Sequence, residues 1–317
     1  MEDAAFALEE ALLLHAALPP AIVVPGATLY AREGVVVGAD RPFACAIGAF
    51  DGLHIGHRAL IDAARKEADA RRLPLAVVTF VPDPSEVLSK RNPERLSCDD
   101  DRIVALSLVD PDLIVAFDFT WDFSRNSYET FTLDVLGSIV GLASIHVGAD
   151  FTFGADGAGS PADIARLGAA CGFSAFGHEL IEKDGASVSS TRIRGLIKAG
   201  RLAEARELLG RPYMMRASAQ MGREGATLSF DTRSCMPETG AYACFIASAN
   251  TAHAAVIDLD AAVCRAGVRM CRAVPATRSC SVVFMAPVPE SDDSHLRMWV
   301  QQEAVCLDTR RWARDQR

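Results

Sequence analysis

The chain has 317 residues, half of them apolar, which is enough for two domains with a core each. Its 41 acidic and 32 basic residues leave a net charge of −9 with no long basic run, which argues against a duplex-binding protein. The start Met1-Glu2-Asp3 is acidic, Pro19-Pro20 break the apolar stretch after it, and no unbroken apolar segment reaches the roughly 20 residues of a bilayer span, so a cytoplasmic protein without membrane or nucleic-acid partners is expected.

In chain order, residues 43–49 read as a strand. Residues 58–72 follow with Leu60, Ala63, Ala64 and Ala68 at helical spacing. Residues 75–80 are a continuous Val-rich run, the mark of a buried strand. Helix is then predicted over 99–109, 127–140 and 161–170, and strand over 113–117, 144–147 and 173–176. Strands alternating with helices imply an α/β fold with a parallel sheet covered on both faces. Helices over 191–199 and 202–209 close this part.

At Gly210-Arg211-Pro212 the chain changes character. Residues 1–212 carry 20 basic and 30 acidic residues and all four lysines, whereas residues 213–317 carry 12 arginines, 11 acidic residues and six of the nine cysteines. The second part shows short β-like runs at 227–230, 241–247, 254–259 and 281–285. A helical pattern follows at about 296–314, so a small β-rich domain with a terminal helix is expected over 213–317. The cysteines form no C-x-x-C pair and read as small buried thiols of a reducing compartment; whether any residue holds a metal is unknown at this stage.

Two segments carry chemistry. Gly48-Ala49-Phe50-Asp51-Gly52-Leu53-His54-Ile55-Gly56-His57 lies between the first predicted strand and the first predicted helix. In an α/β sheet that is the carboxyl edge where ligands bind, and a helix start offers free N–H groups to phosphate. Gly52 and Gly56 let backbone approach an anion, and His54 and His57, paired around a glycine, are hard to explain as packing. Val188-Ser189-Ser190-Thr191-Arg192-Ile193-Arg194 is the second segment, again at a helix start. A helix cap explains one of its hydroxyls; three hydroxyls followed by two arginines exceed a cap and suit the oxygens of a polyphosphate.

Together these segments resemble the nucleotidyltransferases with H-x-G-H and I-S-S-T-x-x-R signatures, with Val188 in place of Ile. The stretch from Gly48 to His57 is similar to the G-x-F-D-G-x-H-x-G-H of bacterial FAD synthetases. Thr79-Phe80-Val81-Pro82-Asp83-Pro84 resembles their T-F-x-P-H-P, and Val147-Gly148-Ala149-Asp150-Phe151-Thr152-Phe153-Gly154 resembles their V-G-x-D/N-F-x-F-G. Leu209-Gly210-Arg211-Pro212-Tyr213 is similar to the segment that joins the family's two modules, so the likeness runs in order over about residues 40–215.

The resemblance implies a Rossmann-like nucleotidyltransferase domain over 1–212 that transfers AMP from MgATP to the phosphate of FMN, giving FAD and pyrophosphate. Mg²⁺ would enter with ATP, and ATP and FMN would be the small-molecule partners; a homo-oligomer stays open. It implies that His54 and His57 contact the phosphates and the transition state, with Arg194 as a further catalytic group. Gly48, Phe50, Asp51, Gly56, Ser189, Ser190 and Thr191 would serve ATP, and Pro82, Asp83, Pro84, Asp150 and Phe153 the flavin. Asp83 stands where the family has His, which keeps open another phosphorylated acceptor.

In the bifunctional members the second module is a riboflavin kinase, a small β-barrel with a G-F-P-T-A-N motif. Ser229-Phe230-Asp231-Thr232-Arg233-Ser234 is its counterpart here and keeps only Phe and Thr, while Met236-Pro237-Glu238-Thr239-Gly240-Ala241-Tyr242 resembles the L-P-x-x-G-V-Y that follows. The family's catalytic Glu segment has no clear counterpart, Glu290 being the nearest candidate. A related fold without kinase activity is therefore expected. A catalytically silent flavin- or nucleotide-binding paralogue is the competing reading, against which both histidines and the intact S-S-T-R-I-R segment argue.

Overall fold

The Val-rich run becomes strand Leu75–Val81, buried at all but its last residue, in the interior of a parallel sheet. The computed structural model describes residues 18–89, 94–222, 225–248, 251–271, 279–288 and 304–306. Among these, seven strands form one sheet: β1 (Ile22–Val24), β2 (Ala27–Ala31), β3 (Pro42–Ile47), β4 (Leu75–Val81), β5 (Leu113–Asp118), β6 (Gly141–Gly148) and β7 (Ser174–His178). Their order is β1-β2-β5-β4-β3-β6-β7. From β5 to β7 all neighbours are parallel, and β2 and β1 extend the edge antiparallel. The chain leaves β3 toward β4 and β5 on one side and returns to β6 on the other, so the strand order reverses beside the carboxyl end of β3, where such sheets bind ligands.

Strand alternation sorts the two faces. Phe43, Cys45 and Ile47 of β3 join Val78, Phe80, Val115, Phe117, Ile145 and Val147 in one buried core. The intervening Ala44 and Ala46 are small, and helix α1 (Ile55–Arg71) packs over β3, β4 and β6 through Leu60, Ile61, Ala64 and Ala68. The other helices here are α2 (Pro84–Leu88), α3 (Asp99–Leu108), α4 (Gly137–Ile139) and α5 (Pro161–Cys171), the last started by a Ser160/Asp163 capping box with Pro161 in its first turn. A two-stranded hairpin, β8 (Glu182–Lys183) and β9 (Ala186–Ser187), precedes α6 (Ser190–Lys198) and α7 (Leu202–Leu209).

The expected helix over 127–140 is found over 128–139, but its middle, Thr130–Leu136, is a π-helix running into α4. The Thr132 hydroxyl donates to the Tyr128 carbonyl at 2.7 Å, a side-chain bond that competes with regular helical pairing. The β1–β2 hairpin escapes the sequence pattern because its strands are three and five residues long and Ile22 and Val23 are exposed.

After Pro212 the chain builds a closed antiparallel barrel from β10 (Tyr213–Gly222), β11 (Gly225–Phe230), β12 (Gly240–Ser248), β13 (Thr251–Asp260), β14 (Arg265–Cys271) and β15 (Cys280–Pro287), ordered β10-β11-β14-β13-β12-β15 with β15 back on β10. Tyr213, Phe230 and Tyr242 surround Phe284, with ring centroids 5.6–6.4 Å apart. Most of the expected terminal helix at 296–314, like Glu290, lies outside the described residues. Ala304–Cys306 within it is a strand, β16, antiparallel to Thr251–His253 of β13.

By packing, the described residues fall into two compact units: 18–93 with 105–188, and 94–104 with those from 189 onward. Pro212 stands between α7 and β10 within the second unit. No helix of the described residues is long and apolar enough to cross a membrane.

Candidate active site

The loop after β3 is built under strain. Phe50 and Leu53 hold positive φ of 57° and 40°, with Gly52 between them at 78°. Non-glycine residues in this region cost about 1–3 kcal/mol each and persist where surrounding structure forces them, commonly at functional sites. Here the Gly48 N–H donates to the Val78 carbonyl (3.1 Å), and the Thr79 hydroxyl donates to that of Ala49 (3.1 Å). Phe50, Asp51, Leu53 and His54 are buried.

His54 is the N-cap of α1: its Nδ1 accepts from the N–H of His57 at 3.2 Å. In its neutral form the ring therefore carries its proton on Nε2, a donor suited to a phosphate oxygen. The two imidazoles stack with centroids 3.6 Å apart, and Phe50 meets His57 edge-on at 5.3 Å. A Cβ on Gly56 would lie 3.2 Å from the His54 ring, so the glycine between the histidines is what allows that ring its place.

A cavity of about 900 Å³ opens within the same unit. Its wall includes Ala49 of this loop, Phe80 from β4, Asp83 and Pro84 at the start of α2, and Phe153 with Gly154 from the segment after β6. Phe119, Trp121, Phe123, Phe131 and Phe151 complete an aromatic lining, with Arg125, Asn126 and Asp156 among its polar groups. Phe80 meets Phe119 edge-on at 5.7 Å and Phe131 meets Phe153 edge-on at 5.9 Å, while Phe151 stacks on Phe153 at 5.4 Å. Gly154 has φ +75°, and a Cβ there would come within 2.5 Å of the Tyr128 backbone nitrogen, so only glycine closes this wall.

Of the expected flavin contacts, Asp83, Pro84 and Phe153 line the cavity; Pro82, which follows a cis peptide bond, and the exposed Asp150 do not. The Asp83 carboxylate caps α2, accepting from the N–H (2.9 Å) and hydroxyl (2.6 Å) of Ser85. Sequence reasoning missed Phe119, Trp121, Phe123 and Phe131. The signal was present as aromatic crowding: six of the chain's 22 aromatic residues fall within positions 117–131.

In the second unit, Ser189 is the N-cap of α6, its hydroxyl accepting from the N–H of Arg192 at 3.2 Å. Capping thus accounts for Ser189. Ser190 and Thr191 occupy the first turn, where N–H groups lack helical acceptors, and Arg194 follows half-buried. Among the described residues no group of three or more His, Cys, Asp or Glu is placed to hold a metal ion. The eight cysteines from Cys45 to Cys280 are free thiols; burial pushes the Cys45 thiol up to about 12, far from a reactive thiolate.

Residues 37–192 match the family model described as FAD synthetase. Among curated proteins, the chain is 33% identical to the bifunctional riboflavin kinase/FMN adenylyltransferase of Listeria monocytogenes and 31% identical to that of Escherichia coli, in each case over 62% of this chain and 66% of the relative. These alignments thus span just under two thirds of the relatives' own length. Against the protein so described from Haemophilus influenzae it is 30% identical over 63% of this chain and 68% of the relative. Among solved structures, one described as a macrolide-efflux protein from Streptococcus pneumoniae superposes with a TM-score of 0.66 at 23% identity, covering 78% of this chain and 94% of that one, a likeness of fold.

Proposed function

Since the chain belongs to the family of the bifunctional riboflavin kinase/FMN adenylyltransferases, the FAD synthetases, we propose that it transfers AMP from MgATP to FMN in the cytoplasm. A phosphate oxygen of FMN attacks the α-phosphorus of ATP, the new O–P bond forms as the bond to the β-phosphate oxygen breaks, and pyrophosphate leaves. The observation that carries this reading is the aromatic cavity whose wall includes Ala49, a residue of the loop that leads into His54 and, one turn into α1, His57. Its volume suits a large planar ligand, and its faces suit a heteroaromatic ring.

The nucleophile arrives ionised, so the protein's work is alignment and stabilisation of charge rather than proton abstraction. His54 and His57 donate to oxygens around the α-phosphorus. Ser190, Thr191 and Arg194 hold the phosphates that leave, while Ser189 secures the start of their helix. Gly48, Phe50, Asp51 and Gly56 serve the nucleotide, and Asp83, Pro84 and Phe153 the flavin. Mg²⁺ would enter with ATP as the MgATP substrate and supply charge neutralisation on its phosphates.

The capping bonds of Asp83 weigh against a different acceptor, because its carboxylate is engaged by Ser85. The kinase reaction is proposed to be lost, since Asp231 to Ser234 lack the Pro, Ala and Asn of the family motif. Purified protein with MgATP and FMN, and with MgATP and riboflavin in parallel, tests both statements once products are separated by chromatography. FAD from FMN alone is expected. FMN made from riboflavin would refute the loss of the kinase, and no FAD from FMN would refute the assignment in favour of a silent paralogue.

A further inference from the structure

We propose that the 231–235 turn of the barrel, most of which is the counterpart of the G-F-P-T-A-N motif, is a seat that positions Arg194; this rests on the role given to Arg194 above. The turn's backbone is committed to residue 95. Arg95 N–H donates to the Arg233 carbonyl at 2.7 Å, and Cys235 N–H donates to the Arg95 carbonyl at 2.8 Å, making a parallel bridge between Arg95 and Ser234. The Tyr213 hydroxyl donates to the Cys235 carbonyl at 2.7 Å, with Tyr213 and Cys235 both buried. Every backbone polar group of Cys235 is thereby paired, which fixes the residue.

From that fixed position Cys235 Sγ donates to the Arg194 carbonyl at 3.7 Å, touching α6 at the root of the Arg194 side chain. The segment that grips the turn is itself braced: Arg95 pairs with Asp99 at 3.2 Å, and Asp99 pairs with the buried Arg102 at 2.8 Å. An alternative anchor for α6, the Lys198–Glu94 pair at 2.6 Å, leaves 53% and 36% of its side chains exposed, and pairs so solvated do little to fix geometry. A sub-ångström shift at Arg194 matters because a guanidinium holds phosphate oxygens through oriented bonds. Tyr213, Cys235 and Arg95 are on this argument positioning residues, and the barrel contributes to adenylyl transfer by holding an arginine.

The test measures MgATP and FMN affinities of the full chain separately by calorimetry, alongside FAD formation and melting temperature, for Cys235→Ala, Cys235→Ser and Tyr213→Phe. Cys235→Ala and Tyr213→Phe should weaken MgATP three- to tenfold while FMN affinity stays within twofold, and Cys235→Ser should restore MgATP affinity to within twofold of wild type. The seat is overturned if MgATP affinity is unmoved in both of the first two variants, if MgATP and FMN affinities fall together, or if serine restores nothing. Wild-type protein that binds MgATP yet makes no FAD overturns the proposed reaction and leaves the seat to be decided by the affinities; wild-type protein that binds no MgATP overturns both.

Discussion

The Nδ1 of His54 is taken by the N–H of His57, so a change at 54 that removes an acceptor also uncaps α1. His57 has no such duty in the helix start, and the two residues separate chemistry from folding when substituted differently. His57→Ala should cut FAD formation by at least ~10²-fold, as loss of a transition-state donor does, with a near-unchanged melting temperature. His54→Asn keeps a capping acceptor and should lose activity alike, whereas His54→Ala should lose activity and about 1 kcal/mol of stability besides. Paired melting curves and product chromatography check both; a His57→Ala protein with wild-type turnover contradicts the assignment. At this scale the motifs made the histidines legible. Sequence left open which hydroxyl of 189–191 caps α6 and gave no sign that Asp83 caps α2, because only the turn geometry decides which hydroxyl or carboxylate reaches a backbone N–H.

Among elements, the parallel strands were legible because burial on both faces writes a continuous apolar run, as at Leu75–Val81. β10 and β14 were not, since Tyr213–Gly222 and Arg265–Cys271 mix arginines and small residues without such a run. Where β6 and β7 meet α1, an element-level property emerges that no motif announces. His146 Nδ1 lies 2.9 Å from His178 Nε2, and His146 Nε2 lies 3.3 Å from Ser144 Oγ and 3.4 Å from Glu67 Oε2. Burial holds both imidazoles below their ordinary value of 6.5, against the pull of Glu67 on His146. Burial works to raise the Glu67 carboxyl, but hydrogen bonds from Ser144, Arg71 and His146 prevail and hold it below 4.5. A histidine depressed on folding binds its proton more readily when unfolded, so its contribution is full above pH 6.5 and is lost as pH falls toward the folded value. Glu67 gives way only below its own range, which leaves pH 7 to 5 to the histidines. The melting temperature should fall across that interval, and His146→Gln with His178→Gln should flatten the slope. An unchanged slope in the double variant would remove these rings as its cause.

For the whole molecule, composition divides the chain at 212, and all the recognisable transferase motifs lie before it. Packing divides it otherwise. Residues 94–104 and 189–212 belong to the compact unit that contains the barrel. Arg95 exchanges two backbone bonds with the 233–235 turn, the buried Asp101 carboxylate pairs with Arg216 of β10, and α7 packs on β10 and β15 with Leu202, Ala205, Leu208 and Leu209 buried. Exposing three such leucines costs roughly 1.5–3 kcal/mol each, and each lost backbone bond about 1 kcal/mol. That total rivals the whole stability of a typical domain, about 5–15 kcal/mol. The motif-bearing part is thus not expected to stand alone, even though the motifs suggest a self-sufficient module. A fragment of residues 1–212 should fail to give a cooperative melt and should make no FAD from MgATP and FMN under conditions where the full chain does. A fragment that melts cooperatively and matches the full chain in FAD formation would show that the barrel supports neither the fold nor the reaction.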